Sequence, residues 1–196
     1  MPICAATCSC GEGRFSRMLQ RLGIDVVGVD LTATLIHRAR QLDPAGDYRI
    51  GNVEDLNFSD ETFDLVVSYL TFINFPDIKR AVQEITRVLR PGGILLVANL
   101  NSFNTAGPPE GWTRDGEGQL RFFIDRYLEE RARWVSWKGV HVQNWHRPLS
   151  TYMSLLLDQG LELRHFSEPL PTGGDPQTAA RYVRAPWFFI MEWQKP

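Results

Sequence analysis

The sequence predicts an α/β protein, a parallel sheet with helices on both faces. Three observations predict it. Short apolar runs alternate with amphipathic stretches as far as residue 98, joined by short connections. The run from Phe63 to Tyr69 is almost continuously apolar, as a strand covered on both sides is. A glycine turn, Gly11-Glu12-Gly13, stands directly before the first amphipathic stretch, and an acid, Asp30, closes the next apolar run.

In order, Ile3-Cys4-Ala5-Ala6-Thr7-Cys8 offers a first short strand. Phe15, Met18, Leu19 and Leu22 recur at i, i+3, i+4 and i+7. That spacing predicts a helix over 14–22, which Gly23 ends. Residues 25–30 read as the second strand. Thr32 stands at a capping position before a helix with Leu35, Ile36, Ala39 and Leu42 on its apolar face. A turn cluster follows at 43–47, then a third strand at 48–50 and a loop at 51–56. Residues 63–69 are the fourth strand. Asp77 caps a helix carrying Ile78, Ala81, Val82, Ile85, Val88 and Leu89 on one face, and Pro91-Gly92-Gly93 stops it. Residues 94–98 are the fifth strand.

The pattern then changes. Residues 100–147 hold Trp112, Trp134, Trp137 and Trp145, and 101–118 reads as a loop rich in Gly, Pro and Asn. An insertion at the ligand end of a sheet reads as a lid or substrate wall, or as a satellite core beneath a loop. Residues 148–159 predict a helix ended by Gly160, and 161–166 a half-exposed strand. A loop with a short helical piece follows at 171–184, and a last strand at 186–191. Two late strands without a crossover helix between them predict an antiparallel closing pair. The 196 residues read as one domain.

Net charge is -2 and there is no basic run, so no nucleic-acid footprint is expected. No apolar stretch approaches a membrane span, and the start lacks the pattern of a signal peptide, so a cytoplasmic location is the default. The three cysteines, Cys4, Cys8 and Cys10, form one odd cluster without paired C-x-x-C spacing. Neither a disulfide framework nor a metal site is expected.

The chemistry concentrates at the strand ends. A Gly-x-Gly turn lets a ligand approach the backbone, and the helix beyond favours negative charge or lone pairs. An acid closing the next strand can accept hydrogen bonds from two ribose hydroxyls. Gly11, Gly13, Asp30, Asn52, Tyr69 and Asn99 all fall at predicted carboxyl ends, where ligands of such sheets lie. This is the layout of a nucleotide-type cofactor site.

These residues resemble the class I S-adenosylmethionine-dependent methyltransferases, within them the branch of the ubiquinone and menaquinone C-methyltransferases. Cys10-Gly11-Glu12-Gly13 is similar to the family's C-G-x-G turn. Val27-Gly28-Val29-Asp30 is similar to its acidic strand end, and Gly51-Asn52-Val53-Glu54-Asp55-Leu56 to its adenine loop. Phe63–Ser68, Leu89–Gly93 and the tail from His146-Arg147-Pro148 resemble later family segments. The resemblance implies a Rossmann-like seven-stranded sheet, six strands parallel and the last antiparallel. It implies S-adenosylmethionine as cofactor and a small-molecule acceptor. Gly11 and Gly13 would pass close to its methionine and ribose part, and Asp30 would take the ribose hydroxyls. Leu31 would lie on the adenine, Asn52 and Val53 at its edge, and Tyr69 near the sulfonium. For an oxygen or nitrogen acceptor, His146 is the candidate base, with His141 second. A homodimer is a possible assembly.

Two departures stand out. The family's first strand reads V-L-D-x-G-C-G-x-G; here the aspartate position is Thr7 and the first glycine is Ser9. The helical cap that precedes that strand in the family is expected to be missing. Weaker cofactor binding follows, and a degenerate, non-catalytic methyltransferase fold is the main alternative. A nicotinamide-dependent oxidoreductase is the other, but Ser16 stands where its third glycine belongs.

Overall fold

The computed structural model describes residues 3–107, 111–137 and 140–196. The first half alternates as expected: β1 (Cys4–Cys8), α1 (Arg14–Gln20), β2 (Asp25–Asp30), α2 (Ala33–Leu42), β3 (Asp47–Ile50) and β4 (Phe63–Tyr69). A single 3-10 turn (Phe72–Asn74) leads to α3 (Ile78–Val88) and β5 (Leu89–Leu100). Asp77 caps α3 as predicted, its Oδ1 accepting from the Arg80 N–H at 2.9 Å. Thr32 does not cap α2 with its side chain. Its N–H instead donates to Asp30 Oδ1 at 2.8 Å, so the strand-end acid ties down the helix start.

The inserted segment is more ordered than a loop. It holds α4 (Ser102–Ala106), the hairpin β6 (Trp112–Arg114) with β7 (Leu120–Phe122), and the hairpin β8 (Arg131–Trp137) with β9 (Val140–His146). Then come α5 (Leu149–Asp158), β10 (Glu162–Ser167), α6 (Pro176–Arg184) and β11 (Phe188–Gln194).

Seven strands form one sheet in the order β10-β11-β5-β4-β1-β2-β3. β11 runs antiparallel to both β5 and β10. The other six therefore run the same way, and the reversed strand lies between β5 and β10. β5 starts five residues earlier than the sequence suggests. Phe63 pairs with Leu89 but Leu65 with Ile94, so the Pro91-Gly92-Gly93 stretch is a bulge in the strand rather than a turn before it. Gly92 takes φ +78 there.

The main core lies on one face. Ala6, Val66, Leu95, Val97, Met191 and Trp193 pack against Ile78, Val82 and Ile85 of α3 and Tyr152 and Leu156 of α5. Each is almost wholly buried, which is the dominant stabilising term. On the other face α1 covers Ala5, Val26 and Val67, and α2 packs Ile36 and Ala39 on Tyr48. Further along that face, Ile94, Leu96 and Ala98 of β5 and Phe188 and Ile190 of β11 are only half-buried. Every strand of the parallel set ends on the same side, where α4 and the β8–β9 hairpin stand.

Candidate cofactor and acceptor site

The turn after β1 uses its glycines differently. Gly13 has φ +75, and a Cβ on it would lie 2.4 Å from the Tyr48 ring. Gly13 is therefore required by packing. Gly11 has φ +57, and a Cβ there would meet nothing within 4 Å. Its open side is the approach to the strand ends. Ser9, in the place of the family's first glycine, is held at φ +52.

Asp30 closes this turn. It is 6% exposed. Its Oδ2 accepts from the Gly11 N–H at 2.9 Å and its Oδ1 from the Thr32 N–H. Each oxygen keeps a further lone pair for hydroxyl donors. Gly51 N–H donates to the Asp30 carbonyl at 3.0 Å, which sets the 51–56 loop beside the acid. Asn52 is exposed with its Oδ1 accepting from the Glu54 N–H, while the Val53 side chain is buried in the core. Leu31 is two-thirds exposed. The structure thus brings Gly11, Asp30, Leu31 and the start of the 51–56 loop together.

A cavity of about 250 Å³ adjoins the turn, lined by Thr7, Ser9, Cys10, Arg14, Phe15 and Tyr69 among others. Tyr69 and Phe15 stack at 5.5 Å with planes 16° apart. No lining residue is acidic. In the place of the family's aspartate, Thr7 Oγ1 sits 2.6 Å from Ser16 Oγ, both buried. Burial pushes the Cys8 thiol up to about 12, and burial with the nearby Asp30 charge pushes Cys10 to about 12. Both stay protonated and are not nucleophiles.

His146 lies in the 100–147 segment, and its ring partners are in that segment too. It is 1% exposed. Nδ1 lies 2.7 Å from Thr105 Oγ1 and Nε2 2.8 Å from the Tyr127 carbonyl. A carbonyl only accepts, so Nε2 carries the proton and Nδ1 accepts from Thr105. Burial holds its pKa below 6.5, with Arg131 and Arg133 acting the same way and the Tyr127 carbonyl opposing. The ring joins α4, the 123–130 loop and β9. His141, the second candidate, stacks on Trp134 at 4.7 Å and 4°.

Four residues to which the sequence reading gave no specific site role stand out. Phe15 had a visible role only as a helix-face residue. Arg147 is 2% exposed and reaches three backbone carbonyls. Asn99, at the end of β5, is fully buried with neither side-chain amide atom hydrogen-bonded. Thr105 holds His146. Only Asn99 was detectable from sequence, as an amide at a strand's carboxyl end.

A family model described as a methyltransferase domain matches residues 7–97. A solved S-adenosylmethionine-dependent methyltransferase from Mesorhizobium loti superposes with TM-score 0.88 at 26% identity, covering 98% of this chain and 91% of its own. Residues 7–97 thus match a methyltransferase domain, and the chain as a whole has the fold of the Mesorhizobium loti protein. Among curated relatives, the malonyl-[acyl-carrier protein] O-methyltransferase of Yersinia pestis is 34% identical over 116 residues, 59% of this chain and 43% of that protein. The ubiquinone biosynthesis O-methyltransferase of Mesorhizobium japonicum is 36% identical over 96 residues, 47% and 39% respectively. The chain spans less than half the length of these two relatives. The cofactor of the methyltransferase domain is S-adenosylmethionine, and the residues fit its nucleoside half. Gly11 leaves the approach clear, and Asp30 has free lone pairs beside it. The adjoining cavity, where the amino-acid half would lie, is lined by Thr7 and Arg14 and by no carboxylate.

Proposed function

We propose that this methyltransferase domain binds S-adenosylmethionine and moves its methyl group to an oxygen of a small-molecule acceptor held beneath residues 100–147. The observation that carries the reading is the Asp30 carboxylate fastened to the Gly11 N–H at 2.9 Å, which builds a ribose-binding corner at the strand ends. The oxygen acceptor rests on the relatives, both O-methyltransferases by name.

In this reading Asp30 accepts the ribose hydroxyls, Leu31 covers the adenine, and Asn52 and Val53 border its edge through the 51–56 loop. Gly11 keeps a Cβ out of the ligand's way, and Gly13 lets the turn pack on Tyr48 close to it. Tyr69, braced by Phe15, flanks the reacting centre. The cofactor supplies a methyl group already activated as a sulfonium. What remains for the chain is alignment, exclusion of water and, for a phenol, removal of a proton. A carboxylate acceptor needs no base. If His146 serves as base for a phenol, it must release Thr105 from Nδ1, the nitrogen that is unprotonated.

The second reading is a fold that no longer catalyses, favoured by Thr7 and Ser9 in the first strand. One titration separates them. Calorimetry with S-adenosylmethionine and with S-adenosylhomocysteine gives micromolar binding in the first reading, lost in Asp30→Ala. A well-folded chain that takes up neither compound overturns it.

A further inference from the structure

Arg147 is the most deeply buried guanidinium described. Its side chain is 2% exposed, paired at 3.6 Å through Nε with half-exposed Glu130 and stacked at 5.0 Å on the Trp145 ring. Burying a cation is costly, and such groups are kept where their geometry is used. Its hydrogen-bond partners all lie in one stretch. Nη2 donates to the carbonyls of Phe75 at 2.8 Å and Pro76 at 2.9 Å, and Nη1 reaches that of Phe72 at 3.4 Å. A planar fork is needed to span three carbonyls; a lysine nitrogen is a single point. Asn74 adds a second tie to β9, donating to Asn144 Oδ1 at 2.8 Å.

The stretch so held runs from β4 to α3, and its other end is at the cofactor cavity. Leu70 follows Tyr69 directly and is held at φ +60, a left-handed conformation that a leucine avoids unless its surroundings impose it. The Leu70 N–H donates to the Ala98 carbonyl at 2.7 Å, and Thr71 Oγ1 meets Ser68 Oγ at 2.5 Å. A chain pinned at Leu70 by β5 and at Phe72–Pro76 by Arg147 leaves Tyr69 little freedom against Phe15.

We infer that Arg147 is a positioning residue: by clamping Phe72–Pro76 to the end of β9, it couples the placement of the lid to that of Tyr69 at the cofactor cavity. This rests on the cofactor reading above for its functional half only; the clamp itself does not.

The test uses the full chain, as wild type, Arg147→Lys, Arg147→Met and Asn74→Ala. Hydrogen–deuterium exchange reads the amides within 70–76, Pro76 having none, without any ligand, and calorimetry with S-adenosylhomocysteine reads the cavity. Trp134→Ala, on the exposed side of the hairpin, is the control. The expected result is exchange at 70–76 faster by about tenfold or more in Arg147→Lys, with affinity for S-adenosylhomocysteine lowered by a similar factor, while thermal unfolding stays a single sharp transition. Lysine does not rescue, and Asn74→Ala moves both readouts the same way by less. If Arg147→Met does not fold, the lysine and Asn74 variants decide. Unchanged exchange at 70–76 in folded Arg147→Lys overturns the clamp. Faster exchange with unchanged affinity overturns the coupling. A wild type that takes up no S-adenosylhomocysteine overturns the cofactor reading and the coupling with it, and the exchange arm still decides the clamp.

Discussion

At Ser9 a serine sits at φ +52, where the family pattern has glycine. The left-handed region costs an L-residue about 1–2 kcal/mol. Ser9→Gly is therefore expected to stabilise the chain by roughly 1 kcal/mol in chemical denaturation, less the extra freedom glycine gains when unfolded. Thr7 is the second residue-level departure. Placing a carboxylate there, as Thr7→Asp, puts a negative charge in a cavity lined by Arg14 and no acid. The expected outcome is tighter binding of S-adenosylmethionine by calorimetry, at some loss of fold stability because the Thr7–Ser16 pair is broken. Asn99 gives the opposite trade. Its amide is fully buried, outside strict hydrogen-bond geometry and close to the Tyr152 phenol, so Asn99→Leu removes a poorly satisfied polar group. Its melting temperature is expected to rise; a fall would show that the amide–phenol contact outweighs the desolvation.

At the scale of elements, the regular ones were legible in the sequence. β2, β4 and the Asp77-capped α3 start where the apolar runs start, because each is a two-face or one-face pattern with a chemical stop. The glycine turn and Asp30 were legible for the same reason: the chemistry is local, nineteen residues apart in one β-α-β unit. Residues 100–147 were not. β6 to β9 pair only within their own hairpins, and where β9 turns alternate residues inward these are polar, Asn144 and His146, so no apolar alternation marks the strand. Nor could Arg147 or Thr105 be found, since their partners lie 41 to 75 residues away. The same segment also carries a pH prediction. His146 has its pKa lowered below 6.5, chiefly by burial, so the unfolded chain takes up a proton that the folded chain refuses. Stability is then full above the unfolded value and falls as pH drops below it. Melting temperature measured from about pH 7.5 to 5.5 should decline on the acid side, and His146→Gln should flatten that decline.

At the scale of the molecule, the sheet is covered unequally. The face carrying Leu95, Val97, Met191 and Trp193 is sealed by α3 and α5, while among the described residues the opposite face is covered chiefly over β1 to β4, with Leu96 of β5 at the margin of that cover. Ile94, Leu96, Ala98, Phe188 and Ile190 alternate with buried neighbours and remain half-buried themselves. No helix described is long and apolar enough to cross a membrane. The half-open face matters at the bench. Dyes such as ANS brighten on exposed apolar surface, and that brightening is commonly taken as a sign of a loosened, molten chain. Here a fully packed protein is expected to light the dye while keeping its near-ultraviolet circular dichroism and a cooperative melt. Dye signal alone would misjudge every variant above, and a substitution such as Leu96→Lys should dim it without unfolding anything.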